Sequence, residues 1–413
     1  MKSNNSMRRI LFSAAALLTL AACSGGGRNL IDGEKPLAVR MIESEMRRNP
    51  SPATLDGIAP GSVKWNYTTG LELLAMMDAA AAYNRPDFDL YAEHYYDTIV
   101  QPDASVLTYT RTRYNIDHVC PGRPLFALYE RTGEERYRRV TDTLYRQLCE
   151  HPRNPDGGFW HKQTYPRQMW LDGLYMGEPF YAEYVVRNIA PTDPAKAAEH
   201  VADIVNQFVA VAAHTYDPAT GLYRHAYDDA REQFWCDPVT GQSQHAWGRA
   251  VGWYAMAIVE TLQYLGVNET TQPMVDILNK LCETLPAYAD PQSGMWYQVL
   301  DQPGREGNYV EATCSIMFAY AMLKGARMGY LPASYAAEGA KRYEQFVERF
   351  VRENEDGTIS ITDCCAVAGL GGADRRDGTF DYYISEPIRE NDCKAVGPFI
   401  WASMEYDRLK GRL

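Results

Sequence analysis

The chain has 413 residues, 46% of them hydrophobic and 23% charged, with 41 Lys and Arg against 53 Asp and Glu for a formal net charge of −12. Such a composition belongs to a globular chain with material for a large core, not to a disordered one. The negative balance argues against nucleic acid and anionic membrane surfaces as general partners, while leaving room for a small anionic substrate held by a local Arg or Lys.

Residues 1–22 read as a processing segment. Lys2, Arg8 and Arg9 precede the apolar run LFSAAALLTL, which is too short to span a bilayer. LAAC at 20–23 resembles a bacterial lipobox, which implies cleavage before Cys23 and acylation of its thiol; the alternative is an ordinary signal peptide that ends near a cysteine. Cleavage would remove three positive charges and take the formal charge from −12 to −15. Residues 23–35, containing SGGGRN, read as a flexible tether, and 36–413 as one catalytic domain. The expected product is an exported lipoprotein of a bacterial envelope, periplasmic or at the cell surface, that meets the membrane only through its anchor.

Beyond the tether, apolar residues recur at helical spacing in 71–83, 124–148, 201–216, 251–265, 274–289 and 315–331, with no comparable series of alternating strands. A turn recurs between them: NPDGGFW at 154, DPATGLY at 217, DPQSGMW at 290 and the weaker NEDGTIS at 354. Asp or Asn, usually Pro, then Gly and an aromatic is helix-stop and turn chemistry. The copies lie 63, 73 and 64 residues apart, about two helices each, so the length accommodates about six helical hairpins. Units this long and irregular fit a closed all-α (α/α)6 barrel better than an open solenoid.

Eight cysteines follow Cys23, none in a CxxC or zinc-type spacing, so neither a structural metal nor a cofactor is expected. Most read as small buried hydrophobes, with pairing left open. The 29 Tyr and 8 Trp cluster beside Gly and Asp in the loops. Flat aromatic faces next to polar groups suit a sugar ring, although most such residues elsewhere are core aromatics with one polar handle.

YNIDHVCPGRPLFALYERTGEERY, GGFWHKQTYPRQMWLDGLYMGEPFYAEY, TGLYRHAYDDA and AWGRAVGWYAMAIVETL, with WNYTTG and GLGG...DGTFDYYISEP, resemble the unsaturated rhamnogalacturonyl hydrolases of glycoside hydrolase family 105 over nearly the whole mature chain. Family 88 unsaturated glucuronyl hydrolases are related. The resemblance implies an (α/α)6 barrel that removes the terminal 4,5-unsaturated uronic acid left by polysaccharide lyases. It also implies an Asp that hydrates the C4=C5 double bond, rather than a two-carboxylate displacement. Asp172, in WLDGLYM, matches the acid/base position. Among apolar neighbours a carboxylate loses hydration, which favours the protonated acid that a vinyl ether requires; a helix cap or a partner for Arg is the other reading. Asp117, in YNIDHV, matches the second essential carboxylate, and would hold the first partly protonated or bind substrate hydroxyls; otherwise it is a cap.

His225, Lys162, Trp247, Arg249, Trp253 and, less closely, Tyr67 match substrate-contact positions. Arg249 has the planar fork that suits a uronate carboxylate, and Trp253 shares its helix face. Gly248 and Gly252 are placed to let a ligand approach the backbone. RAVGW stands where RGNGW is more common, and RHAYDDAREQFW where shorter acidic loops are typical, so the rhamnogalacturonan disaccharide is not the only substrate these residues admit. The alternatives are an unsaturated glucuronyl hydrolase acting on another polysaccharide's lyase products, an inverting (α/α)6 glycosidase or epimerase, and a sugar-binding protein without catalysis.

Overall fold

In chain order the helices are α1 (Leu37–Arg48), α2 (Tyr67–Tyr83), α3 (Pro86–Ile99), α4 (Pro124–Thr132), α5 (Glu135–Glu150), α6 (Leu171–Tyr184), α7 (Pro194–Thr215), α8 (Gly248–Leu265), α9 (Gln272–Thr284), α10 (Ala312–Arg327), α11 (Ser334–Phe350), the short α12 (Phe380–Ser385) and α13 (Cys393–Leu409). The computed structural model describes residues 30–413; the leader, Cys23 and the tether up to residue 29 lie outside the described residues.

Helices α2, α4, α6, α8, α10 and α13 form an inner ring, in which α6 packs on α8, α8 on α10, α10 on α13 and α13 back on α2, with α4 and the turns before it between α2 and α6. Each inner helix is preceded by an outer one: α1, α3, α5, α7, α9 and α11. This is the (α/α)6 barrel. Sequence explains the division. Outer α5 buries Tyr137, Val140, Thr141, Leu144, Gln147 and Leu148, a stripe at helical spacing, and faces solvent elsewhere. Inner α8 is buried continuously from Gly248 to Leu262, and α10 from Ala312 to Gly325. The periodic run at 124–148 is two helices rather than one, because Gly133 adopts φ +71° and ends α4.

The recurrent turns sit at one end of the barrel, in the outer-to-inner connections. In each an Asp side chain accepts from the backbone N–H two or three residues on: Asp156 from Gly158, Asp217 from Ala219, Asp290 from Ser293 and Asp356 from Thr358. Gly157, Gly221, Gly294 and Gly357 take the left-handed conformation these turns require. Short antiparallel pairs flank them, such as Tyr216–Asp217 with Leu222–Tyr223 and Val351–Glu353 with Ile359–Ile361.

Gly248 and Gly252 serve packing and not ligand approach. A Cβ on Gly248 would lie 2.8 Å from the Tyr297 carbonyl oxygen, and one on Gly252 2.8 Å from Met317 Sδ, so both let α8 press against its neighbours in the ring. Near the barrel axis, Glu260 of α8 accepts from Arg123 at 2.7 Å and also from Lys324 and Tyr320 of α10. All eight cysteines among the described residues are free, six of them buried. None of the described helices is long and apolar enough to cross a membrane.

Candidate active site

The segments that lead into the inner helices hydrogen-bond to one another as a backbone collar around the turn-bearing end. Ile116 N–H donates to the His161 carbonyl, His161 N–H to Gln168, Leu171 N–H to His225, and His225 N–H to His245. Within it the strand Gln168–Trp170 pairs antiparallel with Ala226–Asp228, with Trp170 opposite Ala226. That register carries Asp172, in the first turn of α6, to the flank of His225. The first turns of α6 and α8, neither closed by a capping side chain, begin from this collar, and helix N-termini favour negative charge.

The Asp172 carboxylate is largely covered, and its Oδ2 lies 3.2 Å from His225 Nε2, near enough for an ion pair yet off the line of a good hydrogen bond. Neither atom has another hydrogen-bond partner among the described residues. His225 is fully buried, and its Nδ1 is 2.7 Å from the Tyr383 hydroxyl. Burial pushes the His225 pKa down, and the Asp172 charge offsets only part of that, so the ring is neutral at physiological pH.

Asp117 stands in a different environment. Its Oδ2 accepts from Lys162 Nζ at 2.7 Å, and its Oδ1 lies 3.3 Å from His161 Nε2. Burial alone would raise this carboxyl, but the Lys162 charge, with the His161 ring beside it, outweighs burial and holds Asp117 far below the usual carboxylate range. Asp117 is therefore ionised and paired with the Lys162 cation.

An aromatic stack joins the two carboxylates. The His161 ring lies on Trp170 with centroids 4.6 Å apart and planes at 8°, Tyr165 covers Trp170 at 5.3 Å and 9°, and Trp170 meets the His225 ring edge-on at 5.2 Å. Lys162 is 5.5 Å from the Tyr165 ring. Arg376, from the GLGG loop, donates to the Tyr165 hydroxyl at 3.1 Å.

Arg249 is 1% exposed and makes no carboxylate ion pair among the described residues. Its Nη1 donates to the Cys365 carbonyl at 2.5 Å, its plane packs 4.7 Å from the Trp247 ring, and its Nε has no partner. The cation thus packs on Trp247 and not on Trp253, the helix-face neighbour expected from spacing. Trp247 and Trp253 are each 1% exposed. Trp247 is covered by Tyr383 and His225, and Trp253 by Tyr175 and Tyr67, so neither offers an open sugar platform. Tyr67 is half-buried at the start of α2, and burial followed by the Asp117 charge raises its pKa well above the ordinary tyrosine range, with Arg249 acting the other way.

The structure thus gathers Asp172 with His225, Asp117 with Lys162, and Arg249 with Trp247 at one end of the barrel, with Tyr67 near enough to feel both Asp117 and Arg249. Sequence reasoning missed His161, Trp170 as a stacking floor, and Tyr383. His161 is the neighbour of Lys162 in WHK, and Tyr383 lies in DYYISEP, but no spacing rule brings either to its partner. Among the described residues no group of His, Cys, Asp and Glu is arranged to hold a metal.

Comparison with known proteins agrees with this architecture. The model of Glycosyl Hydrolase Family 88 matches residues 37–410. A family 105 glycoside hydrolase structure from C. acetobutylicum is similar with a TM-score of 0.84 and 38% identity, covering 91% of this chain and 100% of that one. Protein Atu3128 of Agrobacterium fabrum is 40% identical over 236 residues, 56% of this chain and 97% of that protein. The unsaturated rhamnogalacturonyl hydrolase YesR of Bacillus subtilis is 24% identical over 283 residues, covering 66% of this chain and 75% of YesR. The barrel, its collar of polar residues and these similarities together establish that this chain belongs to Glycosyl Hydrolase Family 88 and is a glycoside hydrolase of the unsaturated glycuronyl hydrolase type.

Proposed function

We propose that the protein removes a terminal 4,5-unsaturated uronic acid from lyase-generated oligosaccharides by hydrating the C4=C5 double bond, with Asp172 as the acid and base. The observation that carries this reading is the contrast between the carboxylates. Asp172 faces a neutral histidine and has no cation beside it among the described residues, whereas Asp117 is held in its ionised form by Lys162.

In the first step protonated Asp172 gives its proton to C4, and positive charge develops at C5, stabilised by the ring oxygen. Water adds at C5 and loses a proton to the Asp172 carboxylate, which restores the acid. The product is a hemiketal at C5, which opens and expels the neighbouring sugar at C1. With Tyr383 donating to His225 Nδ1, the neutral ring presents Nε2–H to the buried Asp172 oxygen and leaves the other oxygen to the substrate. In this reading Arg249, a buried guanidinium without a carboxylate ion pair among the described residues, takes the uronate, and Asp117 with Lys162 binds ring hydroxyls. Tyr67 is the half-buried aromatic at this end of the barrel, and Trp247 and Trp253 back the Arg249 and His225 side from below the surface.

An inverting glycosidase would need a second carboxylate able to take a proton from water near neutral pH, and Asp117 is far too weak a base for that role. A galacturonyl-rhamnose substrate is favoured by the likeness to YesR, and an unsaturated glucuronyl disaccharide is the second choice. LAAC at 20–23 supports work in the bacterial envelope from a lipid anchor at Cys23. Asp172→Asn tests the assignment. Asn cannot protonate carbon, so kcat should fall by about 10²- to 10⁴-fold with KM within a few-fold of wild type. Full activity in this variant would overturn the role of Asp172.

A further inference from the structure

Beneath the Trp170 stack lies a small interior cavity with room for about one water molecule, lined by Ile116, His161, Trp170, Gly173 and Glu178 among others. Glu178 is 1% exposed and lies on α6, six residues beyond Asp172. Both its carboxyl oxygens are buried without a hydrogen-bond partner among the described residues, and so is His161 Nδ1. Three orphaned polar atoms around one water-sized space are a costly arrangement unless something bridges them.

We propose that Glu178 is a positioning residue for the active site: through a single water in this cavity it serves as hydrogen-bond donor to His161 Nδ1, and so fixes the ring with Nε2–H aimed at Asp117. A neutral imidazole has one donor and one acceptor nitrogen, and the partner of one decides the role of the other. Nε2 is 3.3 Å from Asp117 Oδ1, so the useful tautomer carries its proton there and needs a donor at Nδ1.

The surroundings keep Glu178 in the donating form. Burial, followed by the charge of Asp203 on α7, raises its carboxyl well above the ordinary range, and Arg153 offsets only part of this. Arg153 is itself held by both oxygens of Asp203 at 2.6 and 2.8 Å. Gln207, also on α7, is spent on Phe159 N–H and the Gly157 carbonyl. His151 Nε2 is taken by the Trp160 carbonyl. Gly173 completes the device, since a Cβ there would sit 3.1 Å from His161 Nδ1.

The inference rests on the reading of Asp117 as a working part of the site. Its test uses the full chain labelled with ¹⁵N-histidine, with ring nitrogen shifts reporting the His161 tautomer, alongside kcat and KM on an unsaturated disaccharide. Wild type should show Nε2 protonated and Nδ1 as a hydrogen-bonded acceptor. Glu178→Gln, which keeps donors, should retain this signature and most of kcat. Glu178→Met, of similar size, should lose the signature and about 10- to 100-fold in kcat at little-changed KM. A wild-type spectrum with Nδ1 protonated and Nε2 bare overturns the proposal by itself, even where Glu178→Met does not fold. A folded Glu178→Met variant with wild-type shifts and kcat, or a Glu178→Gln variant as impaired as Glu178→Met, also overturns it. The spectra need no substrate, so inactivity of the wild type on every unsaturated disaccharide would refute the proposed function while leaving this result readable.

Discussion

Replacing Lys162 by Met removes the strongest contact made by Asp117 while keeping most of the side-chain volume. At 2.7 Å and an effective dielectric constant near 20 the attraction is about 6 kcal/mol, part of which offsets the cost of taking both groups from water. Lys162 keeps a quarter of its side chain in solvent, so a net loss of about 3 kcal/mol is the reasonable figure. In the variant, burial acts against His161 alone and the carboxyl titrates higher. The acid limb of kcat/KM against pH on an unsaturated disaccharide should therefore lie at higher pH than in wild type. Stability follows the same sign. The lowered pKa of Asp117 stabilises the fold above the unfolded value of about 3.9, and this contribution is lost as pH falls further, so wild type and variant should differ most above about pH 5 and converge on acidification. An unchanged acid limb, together with additive effects of Lys162→Met and Asp117→Asn, would refute the pairing.

Other perturbations report on other parts of the site and barrel. Tyr383→Phe removes the 2.7 Å contact to His225 and strands a buried ring nitrogen, so about 1–3 kcal/mol of stability and about tenfold or more in kcat should go, measured by denaturant titration and steady-state kinetics. Glu260→Gln leaves Arg123 and Lys324 buried without their anion and should cost about 3–5 kcal/mol, lowering Tm by roughly 4–6 °C in calorimetry. Burial opposes it, yet Lys324 and Arg123 pull the Glu260 carboxyl down to about 2, so its contribution is complete above the unfolded value of about 4.3 and fades as pH falls toward 2. The Tm gap between wild type and Glu260→Gln should close over that window. Gly173→Ala gains about 1 kcal/mol of helix propensity but presses a methyl to 3.1 Å from His161, so Tm should hold while kcat/KM falls about tenfold.

The sequence exposed the barrel through its punctuation. Four turns with Gly at positive φ mark four of the six outer-to-inner connections, and the periodic runs between them are the helices. The connection from α3 to α4 escaped notice because QPDASV reaches the same geometry with Ala104 at φ +67° in place of Gly, with Asp103 still accepting from Ser105. The division of 124–148 into two helices turned on Gly133, a residue that a window of apolar spacing overlooks. Within the site, Asp172 stood out as a carboxylate in an apolar run, but its relation to His225 depends on the Trp170–Ala226 register, which joins segments 56 residues apart. Arg249 and the two tryptophans were recognisable as site residues, whereas their burial was not, because whether an aromatic face is open depends on what another connection, here the one carrying Tyr383, lays over it. Lys162 gave no local sign of its role, which exists only through Asp117.

The C4=C5 double bond separates hydration from every other route to the same sugar. The direct measurement follows the ultraviolet absorbance of the conjugated C4=C5 uronate and the release of the neighbouring sugar together, with wild type and Asp172→Asn, on lyase-generated unsaturated disaccharides. Hydration predicts that absorbance is lost at the same rate as sugar is released, that solvent deuterium enters at C4, and that both signals disappear in Asp172→Asn. Release of the sugar while the absorbance persists, or cleavage of a saturated glycoside at a comparable rate, would contradict it.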